Sequence, residues 1–197
     1  MYSGIGGNRR LWGNDHDITA IELNPQIAKI YQDFFPNDKV IVTDAHQYLL
    51  EHFKEYDFIW SSRPCVTHSR INIIMMGTQN PYKYPDMGLY EEIIFLKQFA
   101  KSKWVVENVI PYYEPLIKPQ IVSRHCFWAN FFISDIQLEN KPIIRKISSN
   151  SVIYGFDIRK YKVSKRKDTI LRNMVSPELG LHILSESKRN IQPELFV

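Results

Sequence analysis

The sequence predicts an α/β protein built on a parallel sheet, and three observations lead to this fold class. Short apolar segments typical of buried strands alternate with longer segments whose apolar residues recur at helical spacing. The strand segments are almost continuously apolar, as in parallel sheets that helices cover on both faces. The 197 residues are 44% hydrophobic and 23% charged, which fits one globular domain and excludes a disordered or fibrous chain.

The predicted elements follow one another without an internal repeat. Four strands and a further aromatic, strand-like stretch are predicted at residues 17–23, 39–42, 56–61, 104–107 and 121–133. Helices are predicted at residues 25–35, 45–53, 87–100 and 177–187. The first helix follows Asn24 and Pro25, residue types that favour a helix start. A polar loop at residues 62–85 and a basic, poorly periodic stretch at residues 135–170 complete the chain.

A glycine-rich turn and two carboxylates fall at successive strand ends, where parallel sheets bind ligands. Residues 3–7 (Ser-Gly-Ile-Gly-Gly) would let the backbone approach a ligand closely. Glu22 ends the next strand and could accept hydrogen bonds from a ribose, and Asp44 follows the strand after that. The pattern predicts a site for an adenosine-type cofactor. The alternative interpretation is a generic turn, with Glu22 and Asp44 as surface carboxylates near the starts of helices.

A cysteine and a glutamate lie at the next two strand ends. Cys65 follows a proline in the polar loop, between Arg63 and Arg70, whose charges would favour the thiolate. Glu107 ends the neighbouring strand, so a nucleophile and an acid would lie side by side. An inert buried cysteine and a capping glutamate are the alternatives.

Charge and cysteine content narrow the possible partners and compartment. The net charge is +4, yet residues 141–190 hold 12 Lys and Arg against 4 Asp and Glu, which indicates a polyanionic partner or a solvated basic loop. Cys65 and Cys126 cannot build a disulfide framework or a four-ligand zinc site, so we expect a reducing cytoplasm and no metal. We expect no membrane association, since no apolar run approaches roughly 18 residues.

Five motifs occur in the order found in cytosine-5 DNA methyltransferases. They are residues 2–7, Pro64-Cys65 with Ser69, residues 107–109, Arg124, and residues 172–177. The chain resembles a short member of that family over residues 2 to about 184. The resemblance implies a Rossmann-like methyltransferase sheet with helices on both faces and a small basic recognition segment. It also implies a restriction-modification or other DNA-modification role in a bacterial or phage-infected cell, in the nucleoid-associated cytoplasm.

The resemblance also implies a role for each matching position. Cys65 would attack carbon 6 of a cytosine flipped out of the duplex, Glu107 would protonate ring nitrogen 3, and Arg124 would contact the carbonyl oxygen. The cofactor would be S-adenosylmethionine, converted to S-adenosylhomocysteine. The matching cofactor-binding residues are Tyr2, Ser3, Gly4, Gly6, Gly7, Glu22, Leu23, Asp44, Ala45, Pro64, Leu89, Asn173 and Val175.

Departures from the family pattern concern DNA recognition. Val66 stands where the family has glutamine, and Val122 stands where it has a second arginine. Residues 1–134 would form the cofactor-binding and catalytic domain, 135–168 a reduced recognition segment, and 169–188 a closing helix. Double-stranded DNA is the expected partner, held mainly through its phosphates. The candidate DNA contacts are Ser69, Arg70, Lys160, Lys165, Arg166 and Lys167.

The ends of the chain lead to two further expectations. Residues 189–197 form a tail in which Gln192 to Phe196 resembles a peptide that binds the replication sliding clamp; a hydrophobic tail folded on its own domain is the alternative. The glycine turn starts at residue 3, although such a sheet needs a strand of about five residues before it, so we expect a truncated first strand. An RNA cytosine-5 methyltransferase and a non-catalytic binder of cofactor or DNA are the rival functions.

Overall fold

A computed structural model describes residues 1–70, 84–138 and 146–189. Six strands are found in these ranges, namely β1 (Thr19–Ile21), β2 (Lys39–Ile41), β3 (Phe58–Ser61), β4 (Lys103–Val109), β5 (Gln120–Val122) and β6 (His125–Ala129). The α-helices in the same ranges are α1 (Pro25–Phe34), α2 (Ala45–His52), α3 (Gly88–Phe99), α4 (Lys167–Arg172) and α5 (Pro177–Lys188). A 3-10 turn follows α2 at Phe53–Glu55. The result is a mixed α/β fold.

The sheet is mixed, so the prediction of a wholly parallel sheet is wrong. The parallel pairs are β1 with β2 and β3 with β4, but β6 lies antiparallel between β4 and β5. The predicted strand-like stretch at residues 121–133 is a hairpin. Its turn lies at Ser123, whose φ of 57° reverses the chain in a conformation that non-glycine residues seldom adopt. For that reason the residue type gave no turn signal.

The first three residues connect the two-stranded sheet with the four-stranded sheet. The ammonium group of Met1 donates to the carbonyl of Trp60 at 2.6 Å, and the carbonyl of Met1 accepts from the backbone N–H of Ser62 at 3.3 Å. The backbone N–H of Ser3 donates to the carbonyl of Ile21 at 2.9 Å. These bonds hold the ends of β1 and β3 on either side of the glycine turn.

Local caps explain why three helices begin where they do. The side chain of Asn24 accepts from the backbone N–H groups of Gln26 and Ile27, and the carboxylate of Asp44 accepts from that of Gln47. Ser176 accepts from Leu179 at the start of α5. Each cap satisfies a donor that the first turn of a helix leaves unpaired.

Helices cover both faces of the four-stranded sheet. On one face, α2 and α3 pack through Leu49, Ile93 and Leu96 against Val106. On the other face, α5 packs against β4 and β6 in a cluster of apolar side chains. The buried face of each helix excludes water from the sheet, and burial of an aliphatic side chain contributes about 1.5–3 kcal/mol.

The segment predicted for DNA recognition contributes to the core. Ile147, Phe156 and Ile158 are buried against α1 in one apolar cluster. Residues 169–188, predicted as one closing helix, contain the end of α4 and the whole of α5. The break comes at Ser176 and Pro177, where the chain starts a new capped helix. Residues 139–145 of the segment, residues 71–83 of the polar loop and the predicted clamp-binding residues 192–196 lie outside the described residues.

A bidentate ion pair fixes the chain that follows the glycine turn. Arg9 Nε and Nη2 each donate to the carboxylate of Asp38 at 2.9 Å, and both side chains are buried. The hydroxyl of Tyr31 donates to the same carboxylate at 2.7 Å. Burial raises the pKa of Tyr31, and its bond to Asp38 raises it further. The buried charges are therefore paired, which their burial requires.

None of the helices in the described ranges combines the length and apolar character that crossing a membrane requires.

We predict that Gly180→Ala destabilises the protein by about 1–3 kcal/mol, the usual cost of overpacking. A Cβ at position 180 would lie 2.2 Å from the carbonyl oxygen of Asn8, so α5 would have to move away from the glycine-turn segment. Urea unfolding measures the change. Ser185→Ala, on the exposed side of the same helix, is the control and should shift the unfolding free energy by less than about 0.5 kcal/mol. An unchanged or raised stability of Gly180→Ala would contradict the close packing of α5.

Candidate active site

A cleft of about 1700 Å³ is lined by residues at the carboxyl ends of β1 to β4, and it extends to residues at the amino ends of β1, β3 and β4, among them Asp17, Asp57 and Lys103. It exceeds the range of about 300–1,000 Å³ typical of single small-molecule pockets. Most of the predicted site residues line it: Tyr2, Ser3, Gly4, Gly7, Glu22, Leu23, Asp44, Ala45, Pro64, Cys65, Glu107, Asn173 and Val175. The fold thus brings the predicted cofactor residues and the predicted nucleophile and acid to one cavity.

The two inner glycines of the turn serve different purposes. Gly4, with φ of 54°, would have nothing within 4 Å of an added Cβ, so the backbone is open there. Gly6, with φ of 85°, lies against the rings of Tyr31 and Phe35, which would be 2.8 and 2.4 Å from a Cβ. Gly4 therefore leaves room for a ligand, whereas Gly6 is required by packing.

Glu22 presents a fixed carboxylate in the cleft. Its Oε2 accepts from the backbone N–H of Gly4 and its Oε1 from that of Asn24, both at 3.0 Å. The next residue, Leu23, is 66% exposed. Each carboxylate oxygen can accept a second hydrogen bond, so Glu22 can accept from a pair of sugar hydroxyls. The apolar side chain of Leu23 suits a flat ring attached to that sugar, and the open backbone at Gly4 leaves room beside it.

A buried carboxylate on α3 joins the parts of the site. Glu92 is fully buried, and its Oε1 accepts from the hydroxyl of Tyr2 at 2.6 Å and from Arg63 Nη1 at 2.8 Å. Its Oε2 accepts from the hydroxyl of Ser61 at 2.6 Å, and His46 Nδ1 lies 3.1 Å from Oε1. This cluster, which we call the Glu92 cluster, connects the glycine turn, β3, α2 and the loop that carries Cys65.

Arg63 extends the Glu92 cluster to the far end of the loop. Its Nε donates to Asp86 Oδ2 at 2.8 Å, and its guanidinium lies so close to α3 that a Cβ on Gly88 would be 2.2 Å from Nη2. Burial lowers the pKa of Arg63, but the bond to Asp86 and the nearby acidic groups outweigh burial and raise it. This role could not be predicted from the sequence, because Glu92 follows the exposed Glu91 and only the packing of α3 shows which of the two carboxylates is buried.

The prediction that arginines favour a Cys65 thiolate is wrong. Burial raises the pKa of the Cys65 thiol, and the negative charge of Glu107 raises it further. Arg63 is paired with carboxylates, and Arg70 Nε donates to the carbonyl of Pro111 at 3.2 Å. Cys65 lines the cleft in a partly exposed position, protonated at neutral pH.

Glu107 and Asn108 are adjacent in β4, and their side chains make hydrogen bonds to different parts of the site. Glu107 Oε1 lies 2.6 Å from His125 Nδ1, a pair that joins β4 to β6. Asn108 Nδ2 donates to the carbonyl of Arg63 at 3.1 Å and so ties the loop of Cys65 to β4. His125 could not be predicted from the sequence, because its nearness to Glu107 depends on the register of β4 and β6.

Three of the predicted cofactor-binding and catalytic residues lie elsewhere. Leu89 is 2% exposed in the core and does not line the cleft, and neither does Gly6. Arg124 lies in the turn between β5 and β6 and lines a small separate cavity with Ser176 and Glu178. Their predicted contacts with cofactor or base remain predictions.

Basic residues border the cleft in part. Lys165 and Arg166 line it, and Arg166 Nη2 pairs with Asp168 at 3.0 Å while its side chain stays 82% exposed. Lys167 Nζ donates to a backbone carbonyl at 2.6 Å, and Lys160 Nζ lies 5.1 Å from the ring centre of Tyr161. A ligand in the cleft would compete with Asp168 for Arg166, because Nε and Nη2 both donate to that carboxylate.

No group of His, Cys, Asp or Glu in the described part of the chain has an arrangement that could hold a metal ion.

No protein-family model matches this chain, and neither does any curated protein sequence. Among solved structures, the chain is similar to a crystal structure of a mutant of DNMT2 from Spodoptera frugiperda, with 26% sequence identity and a TM-score of 0.37. The similarity covers 55% of this chain and 34% of that chain, so the match spans about a third of the DNMT2 length.

We predict that Arg63→Leu lowers the unfolding free energy by about 3–5 kcal/mol, because it leaves Glu92 buried with one charged partner fewer. Arg63→Lys should lose less, since it keeps a charge but cannot reach Glu92 and Asp86 together. Urea unfolding of both variants gives the comparison. The exposed pair of Lys29 and Asp33 supplies the control: Lys29→Met should cost less than about 1 kcal/mol. Equal losses in Arg63→Leu and Lys29→Met would contradict the role given to the Glu92 cluster.

We predict that Cys65 alkylation requires a higher pH than alkylation of an ordinary cysteine, because the raised pKa reduces the thiolate fraction at any given pH. Glu107→Gln removes one of the two causes and should move the rate profile to lower pH. Iodoacetamide rates between pH 6 and 10, in a Cys126→Ala background with a single thiol, measure this. Glu51→Gln, an exposed carboxylate on α2, should leave the profile unchanged. A profile that stays in place or moves to higher pH in Glu107→Gln would contradict the coupling.

Proposed function

We propose that this chain is an S-adenosylmethionine-dependent methyltransferase that methylates carbon 5 of cytosine in DNA. The observation that carries the proposal is the shared cleft. Gly4 and Glu22 lie in the same cavity as Cys65 and Glu107, so a cofactor and a base could be bound beside each other. The resemblance of the motifs to cytosine-5 DNA methyltransferases supports the same function.

The cofactor would be held at the glycine-turn side of the cleft. Glu22 would accept hydrogen bonds from the ribose hydroxyls, Leu23 would contact the adenine ring, and Asp44 would accept from its amino group. The open backbone at Gly4 leaves space for the chain that carries the sulfur. When bound, S-adenosylmethionine supplies an electrophilic methyl group on a positively charged sulfur.

Cys65 and Glu107 would carry out the chemistry on the base. Cytosine carbon 5 is a poor nucleophile. The Cys65 thiolate would add to carbon 6 while Glu107 gives its proton to nitrogen 3. The product is an enamine, in which carbon 5 is nucleophilic. Once carbon 5 has gained the methyl group, it loses its hydrogen as a proton to a base. The carbon–sulfur bond then breaks, nitrogen 3 returns its proton to Glu107, and the aromatic ring is restored.

The raised pKa of Cys65 places a requirement on this reaction. The thiol is protonated in the free protein at neutral pH, so its proton must pass to solvent water before the thiolate can attack carbon 6. A stacked base pair hides carbon 6, so the cytosine has to rotate out of the duplex into the cleft. Binding of the neutral base near Glu107 would accompany protonation of that carboxylate, which removes the charge that disfavours the thiolate.

The basic border of the cleft supports a nucleic acid as substrate. Lys165 and Arg166 would contact phosphates, and Lys160, Lys167, Ser69 and Arg70 are further proposed contacts. The Arg124 guanidinium would reach the carbonyl oxygen of the base only if it turned from its small cavity toward the cleft. Structured RNA carries the same phosphate groups, so 5-fluorocytosine RNA is tested beside 5-fluorocytosine DNA.

We predict that duplex DNA containing 5-fluorocytosine forms a covalent adduct with the protein in the presence of S-adenosylmethionine. Fluorine at carbon 5 cannot leave as a proton equivalent, so the bond from Cys65 to carbon 6 persists. Denaturing gels and mass spectrometry detect the adduct and its site. Cys65→Ala should give none, and Glu107→Gln should slow adduct formation by about 10²–10⁴-fold, the range for a lost general acid.

The controls separate the rival functions. Cys126→Ala removes the buried cysteine outside the cleft and should keep the adduct. An adduct on 5-fluorocytosine RNA but not on DNA would assign the chain to RNA. Cofactor binding by calorimetry without any adduct, across a library of sequence contexts, would contradict catalysis and leave a non-catalytic binder.

A further inference from the structure

Glu107 contacts a histidine, His125, inside the cleft. His125 Nδ1 lies 2.6 Å from Glu107 Oε1, and the side chains are 18% and 9% exposed. Both residues line the cleft. The contact is short and largely shielded from water, and low polarity around a hydrogen bond strengthens it.

The register of the sheet produces this contact. Glu107 in β4 lies directly opposite Phe127 in β6, and His125 is two residues before Phe127 on the same face. The His125 ring lies 6.1 Å from the ring of Phe127, which is fully buried. Both strands are central in the sheet order β3-β4-β6-β5, so the pairing of β4 with β6 fixes the backbone positions from which the two side chains extend.

The contact decides which carboxyl oxygen is available to a ligand. If Nδ1 carries its hydrogen, it donates to Oε1, and Oε1 cannot at the same time hold a proton directed toward the imidazole. A proton on the Glu107 carboxyl must then be on Oε2. A general acid in the cleft needs this arrangement, because a proton on the oxygen that faces the histidine could not reach the base.

We propose that His125 is a positioning residue that fixes the Glu107 carboxyl and confines its acid proton to Oε2, where it can be given to ring nitrogen 3 of the substrate cytosine. This inference rests on the proposed function, since it assigns the proton donor of that reaction. His125 does not touch the base; it acts through Glu107. Arg124, its neighbour in the chain, lines the other cavity and does not supply this contact.

The test compares two replacements of His125 in the trapping reaction. His125→Leu removes the donor, while His125→Asn keeps an N–H close to the position of Nδ1. We expect His125→Leu to slow single-turnover adduct formation about 10–100-fold, the usual loss when the partner that orients a functional group is removed. His125→Asn should recover the larger part of that loss, and both variants should keep wild-type affinity for S-adenosylmethionine in calorimetry.

A double-mutant cycle tests whether His125 acts through Glu107. In a Glu107→Gln background, His125→Leu should cause no further slowing, because the group it positions is already gone. Additive losses, an unchanged rate in His125→Leu, or equal losses in the Asn and Leu variants would each overturn the inference. A wild-type protein that forms no adduct would instead overturn the proposed function, so the two failures are distinguishable.

Discussion

The buried carboxylate of Glu92 is the interaction on which the candidate site depends. It accepts from Tyr2, Ser61 and Arg63 and lies beside His46, so three segments that are far apart in sequence meet at one group on α3. Burial of an unpaired charge costs several kcal/mol, and only the full set of partners offsets that cost. The glycine turn and the Cys65 loop are therefore held in one relative position, because any other would leave the carboxylate unpaired.

The same cluster determines the electrostatics around the cysteine. Arg63 is two residues before Cys65, but its charge is neutralised by Glu92 and Asp86. Glu107 is then the charge that acts on the thiol, and with burial it raises the thiol pKa. The free protein therefore keeps the thiol protonated at neutral pH. In the proposed reaction, a cytosine bound at protonated Glu107 would meet a thiol whose pKa that carboxylate no longer raises.

The sequence predicted the parts of this site that local chemistry controls. Glycine, carboxylate and cap residues at strand ends act on their own neighbours, so Gly4, Glu22 and Asp44 could be located from the sequence alone. The partners set by strand register and helix packing could not. Glu92 follows the exposed Glu91 in α3, and only helix packing distinguishes the two. His125 meets Glu107 only through the pairing of β4 with β6, and Ser123 turns the chain in a conformation that its residue type does not favour.

The pleat of β4 explains how one strand can place both Glu107 and the loop that carries Cys65. Successive side chains of a strand point to opposite faces, so Glu107 meets His125 on one face while Asn108 holds the carbonyl of Arg63 on the other. The separation between the acid and the Cys65 loop is then set by backbone geometry and not by side-chain freedom. Because α3 fixes the same loop through Glu92, a central strand and a packed helix support the cysteine together. Rigid elements of this kind give the positional accuracy that a bond-forming step between two groups requires.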